Sequence, residues 1–274
     1  MFIRYTDDFL KAASLQLLSI AKLRNVTAMN LYRKSFIVRT YEADLYNRLK
    51  ISSLLNYMQE TASEHANGLG FGYQQLKPQN RFWVLSRLLV ELKSTITFDS
   101  TMIVETWPRD FDKYLAYRDY RFYDCYDRCF ASATTAWIML DSTTYRPVPF
   151  DPHEFSIHRS QTEPATAALP DKLMAPEQFS GSFSRTVAYS DLDVNHHVNN
   201  AKYAEYIFDC FDPIVLRNRL PSRIQINFLK ELKPGSKLEI LSHNYSHNPN
   251  EWYFEGRTGP STRTFQAVVL FNSY

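Results

Sequence analysis

The sequence predicts an α+β fold in which one unit, a long helix lying against a curved antiparallel sheet, is written twice in tandem. Three observations point there. The 274 residues suffice for two domains of about 100 to 150 residues each. The order strand, amphipathic helix, four strands occurs twice, and short residue strings recur between the halves at fixed displacements.

The first unit, residues 31–141, opens with a strand-like segment, Ser35–Thr40. From about Ser52, the apolar positions Leu54, Leu55, Met58, Ala62, Ala66 and Leu69 keep helical spacing, which predicts a helix of about five turns. Ser52 or Ser53 would be its N-cap, and Gly68 or Gly70 its end. Four strands follow, Phe82–Leu92, Thr101–Trp107, Tyr114–Asp124 and Phe130–Leu140. In the first of them Ser86, Leu88, Val90 and Leu92 alternate with Arg87, Leu89 and Glu91, and the short turns between these long strands imply antiparallel pairing.

Residues 142–178 hold six of the thirteen prolines without a sustained period and read as an inter-domain linker. In the second unit, residues 179–274, Arg185-Thr186 and Asp191-Leu192 echo Arg39-Thr40 and Asp44-Leu45, the latter pair displaced by 147 (191 minus 44). Ser222-Arg223-Ile224 echoes Ser86-Arg87-Leu88 at 136, and Leu238 and Ile240 fall on Met102 and Val104 at the same displacement. Such a tandem, in which neither copy alone covers its helix and sheet edge, has the form of a double hotdog.

Composition narrows the function classes. A 45% hydrophobic and 15% aromatic chain with 22% charged residues is globular, and a net charge of +2 supplies no field that favours nucleic acid. Local basic clusters could still meet an acidic protein partner. Cys125, Cys129 and Cys210 form no CxxC pair and leave an odd thiol, which fits the reducing cytoplasm. No apolar run approaches the roughly 20 residues of a membrane span, so stable membrane insertion is not expected. Residues 1–30 read as an N-terminal extension: Phe9–Ala21 is broken by Lys11 and Gln16, which favours a loosely helical segment, or a start assigned upstream of Met29, over a signal peptide.

The chemistry concentrates between Ser190 and Tyr203. In an extended chain Asp193, Asn195 and His197 would project to one side, placing a carboxylate, an amide and an imidazole in a row. Helical spacing resumes with Tyr203, Ile207 and Cys210 or Phe211, so Asn199 or Asn200 is the natural N-cap and the row ends at a helix N-terminus whose free N–H groups can hold an oxyanion. The plainer alternative, with the two asparagines as caps only and Asp191 as a turn former, stands beside it. A metal site from Asp193, His196 and His197 is disfavoured because adjacent extended residues point apart, and no cofactor is implied. His65 reads as a packing histidine. His243 and His247 read as solvent-facing, because the Asn248-Pro249-Asn250 turn disfavours the helix that their spacing would need.

At these residues the sequence resembles the acyl-acyl carrier protein thioesterases of plants and bacteria, whose second hotdog carries a D-x-N-x-H-V-N-N-x-x-Y signature. It stands complete here as Asp193, Asn195, His197, Val198, Asn199, Asn200 and Tyr203. The resemblance extends over most of residues 35–274, including Val104-Glu105-Thr106-Trp107-Pro108 and Trp137-Ile138-Met139-Leu140-Asp141. It implies hydrolysis of a fatty acyl thioester carried by acyl carrier protein, with a catalytic glutamate on a later strand. The matching place reads Lys230-Glu231-Leu232, so the glutamate is present, while the cysteine that often follows it is replaced by leucine.

The catalytic set expected from the resemblance is therefore Asp193, Asn195, His197 and Glu231, with no cysteine nucleophile. Glu231 or Asp193 would act as base toward water, His197 would orient the water or the base, and Asn195 with helix N–H groups would stabilise the oxyanion. Direct attack by Asp193 through an anhydride stays open. At the displacements above, these four residues fall on Tyr46, Arg48, Lys50 and Thr95, so the first copy lacks the reactive set. Its helix would then serve acyl-chain selection, with Leu55, Met58 and Ala62, joined by Asn199 and Asn200, on the substrate. Alternatives are a coenzyme A thioesterase on the same fold and a non-catalytic acyl-thioester-binding regulator; homodimerisation stays open.

Overall fold

The computed structural model describes residues 31–151, 153 and 162–272, so the proposed extension lies outside the described residues. Ten strands are present among these: β1 (Tyr32–Ile37), β2 (Arg81–Leu92), β3 (Thr101–Phe111), β4 (Leu115–Asp124), β5 (Cys129–Asp141), β6 (Gly181–Thr186), β7 (Pro221–Phe228), β8 (Lys237–Asn244), β9 (Glu251–Arg257) and β10 (Arg263–Phe271). The helices are α1 (Ile51–Gly68), the short α2 (Tyr73–Leu76), α3 (Asn200–Phe208) and α4 (Pro213–Arg217). All strands join one antiparallel sheet of order β1-β3-β4-β5-β2-β7-β10-β9-β8-β6. The second five strands mirror the first five across the β2–β7 pair.

That central pair fixes the internal symmetry. Leu89 pairs with Gln225, and 225 minus 89 is 136, so at this position the strand meets its own counterpart, as a two-fold axis through the pair requires. The same displacement relates Thr101 to Lys237 at the outer edges of β3 and β8. Upstream of the helices the structure sets the displacement at 149 rather than 147: Ile37 and Thr186 hold equivalent pairings, 186 minus 37. The sequence match had aligned Asp44 with Asp191. The true counterpart of Asp191 is Glu42: each carboxylate accepts a backbone N–H three residues back, Arg39 N–H at 2.7 Å for Glu42 and Ala188 N–H at 2.8 Å for Asp191.

Side chains on one face of the sheet bury a shared core. Leu88, Val90, Ile224 and Ile226 from the central strands lie in one cluster with Leu54, Leu55 and Met58 of α1 and Ala204 and Ile207 of α3. The two helices pack on each other as well as on the sheet. Neither half could bury its helix without the other. On the opposite face, residues 162–171 lie across the strands and are held by polar groups: Asp119 accepts the Ala165 N–H at 2.8 Å, and Gln225 and Asn227 both donate to the Asp171 carbonyl at 2.6 and 2.9 Å. Burial raises the Asp119 carboxyl above its ordinary range, opposed by hydrogen bonds from Thr134 and the Ala165 N–H.

Local differences from the predicted elements have identifiable causes. α1 begins at Ile51 on an extended Lys50, so Ser52 and Ser53 lie inside the helix, both buried, and do not cap it. At the other end Gly70 takes φ of +84°, the left-handed conformation in which a helix commonly terminates. The first strand starts and ends earlier than predicted, because Thr40 opens a 3₁₀ turn. β3 runs through Pro108 to Phe111. It can do so because its β1 partner stops opposite Thr106, leaving that side without a ladder donor to lose, and a register shift against β4 between Pro108 and Asp110 absorbs the proline. No helix among the described residues is long and apolar enough to cross a membrane.

Candidate active site

The segment entering α3 is a tight loop. The predicted extended row of Asp193, Asn195 and His197 does not form. Leu192 bridges Val198, the Asp193 N–H donates to the His197 carbonyl at 2.9 Å, and His196 sits at φ of 62°. This left-handed position is one that histidine adopts more readily than most residues. The Asp193 carboxylate holds the loop closed: Oδ1 accepts the Asn195 backbone N–H at 2.8 Å, and the Asn195 side-chain amide reaches Oδ2 at 3.5 Å. Beneath it the buried Asp191 accepts the Ala188 N–H and pairs with Arg185, whose guanidinium stacks on Tyr206 at 3.8 Å.

The turn aims His197 at the loop after β7. His197 Nε2 lies 3.1 Å from Glu231 Oε2, and Lys233 Nζ lies 3.5 Å from the other oxygen of that carboxylate. The two segments are tied by the backbone, Val198 N–H donating to the Leu232 carbonyl at 3.2 Å. Histidine and glutamate are partly exposed, at 36% and 40% of their side-chain area, so the pair is open to a substrate and to water. Thus the structure brings His197 to Glu231 and Asn195 to Asp193, in two adjoining pairs.

Asn199 is the N-cap of α3, its Oδ1 accepting the Ala201 N–H at 2.8 Å. That N–H is therefore spent on the cap and is not free for an oxyanion. The sequence reading missed Gln59 of α1, whose side chain reaches both asparagines across the junction of the halves: Gln59 Nε2 to Asn199 Oδ1 at 3.2 Å, and Asn200 Nδ2 to Gln59 Oε1 at 3.4 Å. Its place on α1 one residue after Met58 was the available signal.

Beside this contact lies a crevice between α1 and the sheet, lined by Leu55, Met58, Leu85, Leu88, Tyr120 and Trp137 with Gln59 and Asn200. It holds about 10 Å³, room for roughly one water. Leu55 and Met58 thus face a common apolar wall. Ala62, on the same helix, is buried in the core and does not line it.

Other candidates separate cleanly. His65 is buried, with its Nδ1 3.0 Å from Arg118, and stacks on Tyr32, as a packing histidine would. His243 lies on β8 and His247 in the following turn, each against the Tyr245 ring; His243 is half-buried, against the solvent-facing reading. Among the described residues no group of three or more His, Cys, Asp or Glu is arranged to hold a metal ion.

Family models match both halves: the acyl-ACP thioesterase N-terminal domain over residues 29–155 and the acyl-ACP thioesterase C-terminal domain over 176–260. The chain belongs to the acyl-ACP thioesterase family. Among its relatives is a chloroplastic acyl-[acyl-carrier-protein] hydrolase of Cuphea viscosissima, 29% identical over 77% of this chain and 54% of its own length. A chloroplastic palmitoyl-acyl carrier protein thioesterase of Arabidopsis thaliana is 27% identical over the same shares. The chain thus spans about half the length of the curated relatives it matches. Among solved structures, an acyl-ACP thioesterase from Bacteroides thetaiotaomicron superposes with a TM-score of 0.81 at 24% identity, covering 90% of this chain and 99% of that one. The 12:0-ACP thioesterase from Umbellularia californica gives 0.75 at 20%, covering 88% and 94%. These likenesses establish the tandem double hotdog.

Within this thioesterase fold the thiols are badly placed for nucleophilic work. Leu232, at the position where the family often has cysteine, is buried in the core at 1% exposure. Cys125 and Cys129 flank the β4–β5 turn of the first half. Burial pushes the Cys210 thiol up to about 12, and its Sγ donates to the Tyr206 carbonyl.

Proposed function

We propose that this chain hydrolyses acyl-acyl carrier protein thioesters, releasing free fatty acid and holo-acyl carrier protein, with Asp193, Asn195, His197 and Glu231 as its reactive set. The observation that carries the proposal is the His197–Glu231 contact of 3.1 Å at an open face of the second half. A carboxylate only accepts, so the proton between them resides on Nε2, and the Nδ1 lone pair is left to take a proton from water. Glu231 then stabilises the imidazolium that forms, and the activated water attacks the thioester carbonyl.

Negative charge that builds on the carbonyl oxygen needs a donor, and the Asn195 amide, anchored by Asp193, supplies one. Collapse of the tetrahedral species expels the carrier thiolate, to which the imidazolium returns the proton. Leu55 and Met58 would meet the acyl tail once the crevice, which has room for about one water, widens; Asn200 lines it, and Asn199 adjoins it through Gln59. The names of the relatives support acyl carrier protein as the partner. Three free cysteines support a reducing compartment such as the cytoplasm.

The test is fatty-acid release from a panel of acyl-carrier-protein and acyl-coenzyme A substrates of graded length. Turnover of the carrier-protein thioesters with higher kcat/KM is expected. Preference for coenzyme A would replace the substrate, and no release from either would end the hydrolase reading.

A further inference from the structure

The two hydrogen bonds of Gln59 are ordered by the helix that they touch. A backbone N–H can only donate, so the Asn199 atom facing Ala201 N–H is its oxygen, Oδ1. The Gln59 atom that meets the same oxygen at 3.2 Å must therefore be its NH2. The Gln59 carbonyl is then left facing Asn200, and accepts from Asn200 Nδ2 at 3.4 Å. Asn199 Oδ1 thus accepts twice, from Ala201 and from Gln59, and every donor and acceptor is assigned from the first turn of α3 to the wall of the crevice, where Gln59 and Asn200 stand beside Met58 and Leu55.

We infer that Gln59 is a positioning residue, through which the acyl-binding helix of the first half holds the Asn199–Asn200 turn of the second half in register with the His197–Glu231 pair. The inference rests on the hydrolase reading. The link is short: Asn199 follows His197 by two residues, and its own N–H is fixed to the Asp191 carbonyl at 2.9 Å. A shift of the α3 N-terminus against α1 would therefore move the imidazole relative to an acyl tail held along α1. Holding reactants to within a fraction of an ångström is a large part of a catalytic rate, so a residue that touches no reacting atom can still set kcat.

The chemistry of the contact supplies a discriminating test. Gln59→Glu keeps size and shape, but an ionised carboxylate places an acceptor against Asn199 Oδ1. When protonated, the same side chain has one donor and one acceptor, the pattern of the amide. The charged form is disfavoured by the facing carbonyl oxygen, so the pKa of the new carboxyl in the folded protein lies above its unfolded value of about 4.3. By linkage its favourable contribution is present below the unfolded pKa and is lost as pH rises through the folded one. Gln59→Met, of similar length and without hydrogen bonds, has no such dependence.

The experiment measures kcat, KM and thermal stability of wild type, Gln59→Glu and Gln59→Met between pH 5 and 8. Expected at pH 8 is a loss in kcat of about tenfold or more in both variants with KM little changed. The ratio of Gln59→Glu to wild type should rise as pH falls, and its melting-temperature deficit should close in parallel, while Gln59→Met stays flat in both. Wild-type kcat in either variant, or a Gln59→Glu deficit independent of pH, would overturn the inference. If the wild type hydrolyses neither substrate class, the hydrolase reading fails by itself, and a pH-independent melting deficit of Gln59→Glu would still overturn the hydrogen-bond order.

Discussion

The loops that precede α1 and α3 share a backbone and differ in what their side chains do. In the first, Ala43 bridges Leu49, Asn47 sits at φ of 62°, Asp44 N–H donates to the Arg48 carbonyl at 2.7 Å, and Asp44 Oδ1 accepts the Tyr46 N–H at 2.9 Å. Each feature has its counterpart at a displacement of 149 in the loop of Asp193 to His197. The aspartate therefore performs the same loop-closing task in both halves, including the one without a reactive set. What separates them is the residue four places later. Arg48 turns back onto Asp44 Oδ2 at 2.8 Å and reaches the Arg219 carbonyl, and the Tyr46 hydroxyl donates to the Pro213 carbonyl. His197 turns outward to Glu231, whose counterpart in the first half is Thr95. One copy of the loop fastens the halves together, and the other presents an imidazole to a carboxylate.

The largest effect expected from this contrast is catalytic. Glu231→Ala or Asn195→Ala should lower kcat by about 100-fold or more, the scale of a lost general-base partner or oxyanion donor. Circular dichroism should remain that of the wild type, and near-normal turnover in a folded variant would remove that residue from the set. In the first loop the corresponding change should be one of stability: Arg48→Ala loses its ion pair and its bond to Arg219, costing about 1 kcal/mol in urea unfolding with kcat unchanged. Loss of turnover there would mean that both loops contribute to the chemistry.

The smallest effect concerns the thiols. Because burial holds Cys210 at about 12, it carries almost no thiolate at pH 8 and gains reactivity only as pH rises toward that value. Iodoacetamide at pH 8 should leave Cys210 unmodified while labelling the exposed Cys125, and hydrolysis should continue. Rapid alkylation of Cys210 would contradict its burial, and inactivation by label on Cys125 would contradict the assignment of the chemistry to His197 and Glu231.

Much of this arrangement was legible in the sequence, for reasons that the structure makes plain. α1 was visible because its apolar residues face one core at helical spacing, and the 136 displacement because β2 and β7 pair with each other about Leu89 and Gln225. An asparagine N-cap at 199 or 200 followed from local chemistry alone, and the structure uses Asn199. The path of the loop was not legible. Asp193, Asn195 and His197 alternate like a strand, and only the hydrogen bonds into Asp193 and the left-handed His196 turn them into a hairpin-like bend. The alignment of the first loop failed because glutamate at position 42 does the work of aspartate at 191, so matching like with like chose the wrong acid. Gln59 was hidden because its partners lie 140 and 141 residues away.

The proposed mechanism requires His197 and Glu231 to act as one unit. A double-mutant cycle on kcat tests it directly, using His197→Ala, Glu231→Ala and the double variant with an acyl-carrier-protein substrate. If the imidazole works only when the carboxylate holds it, the double variant should lose little more than the worse single one, about 100-fold in total. Independent losses that multiply to about 10,000-fold would show two separate roles and contradict the account.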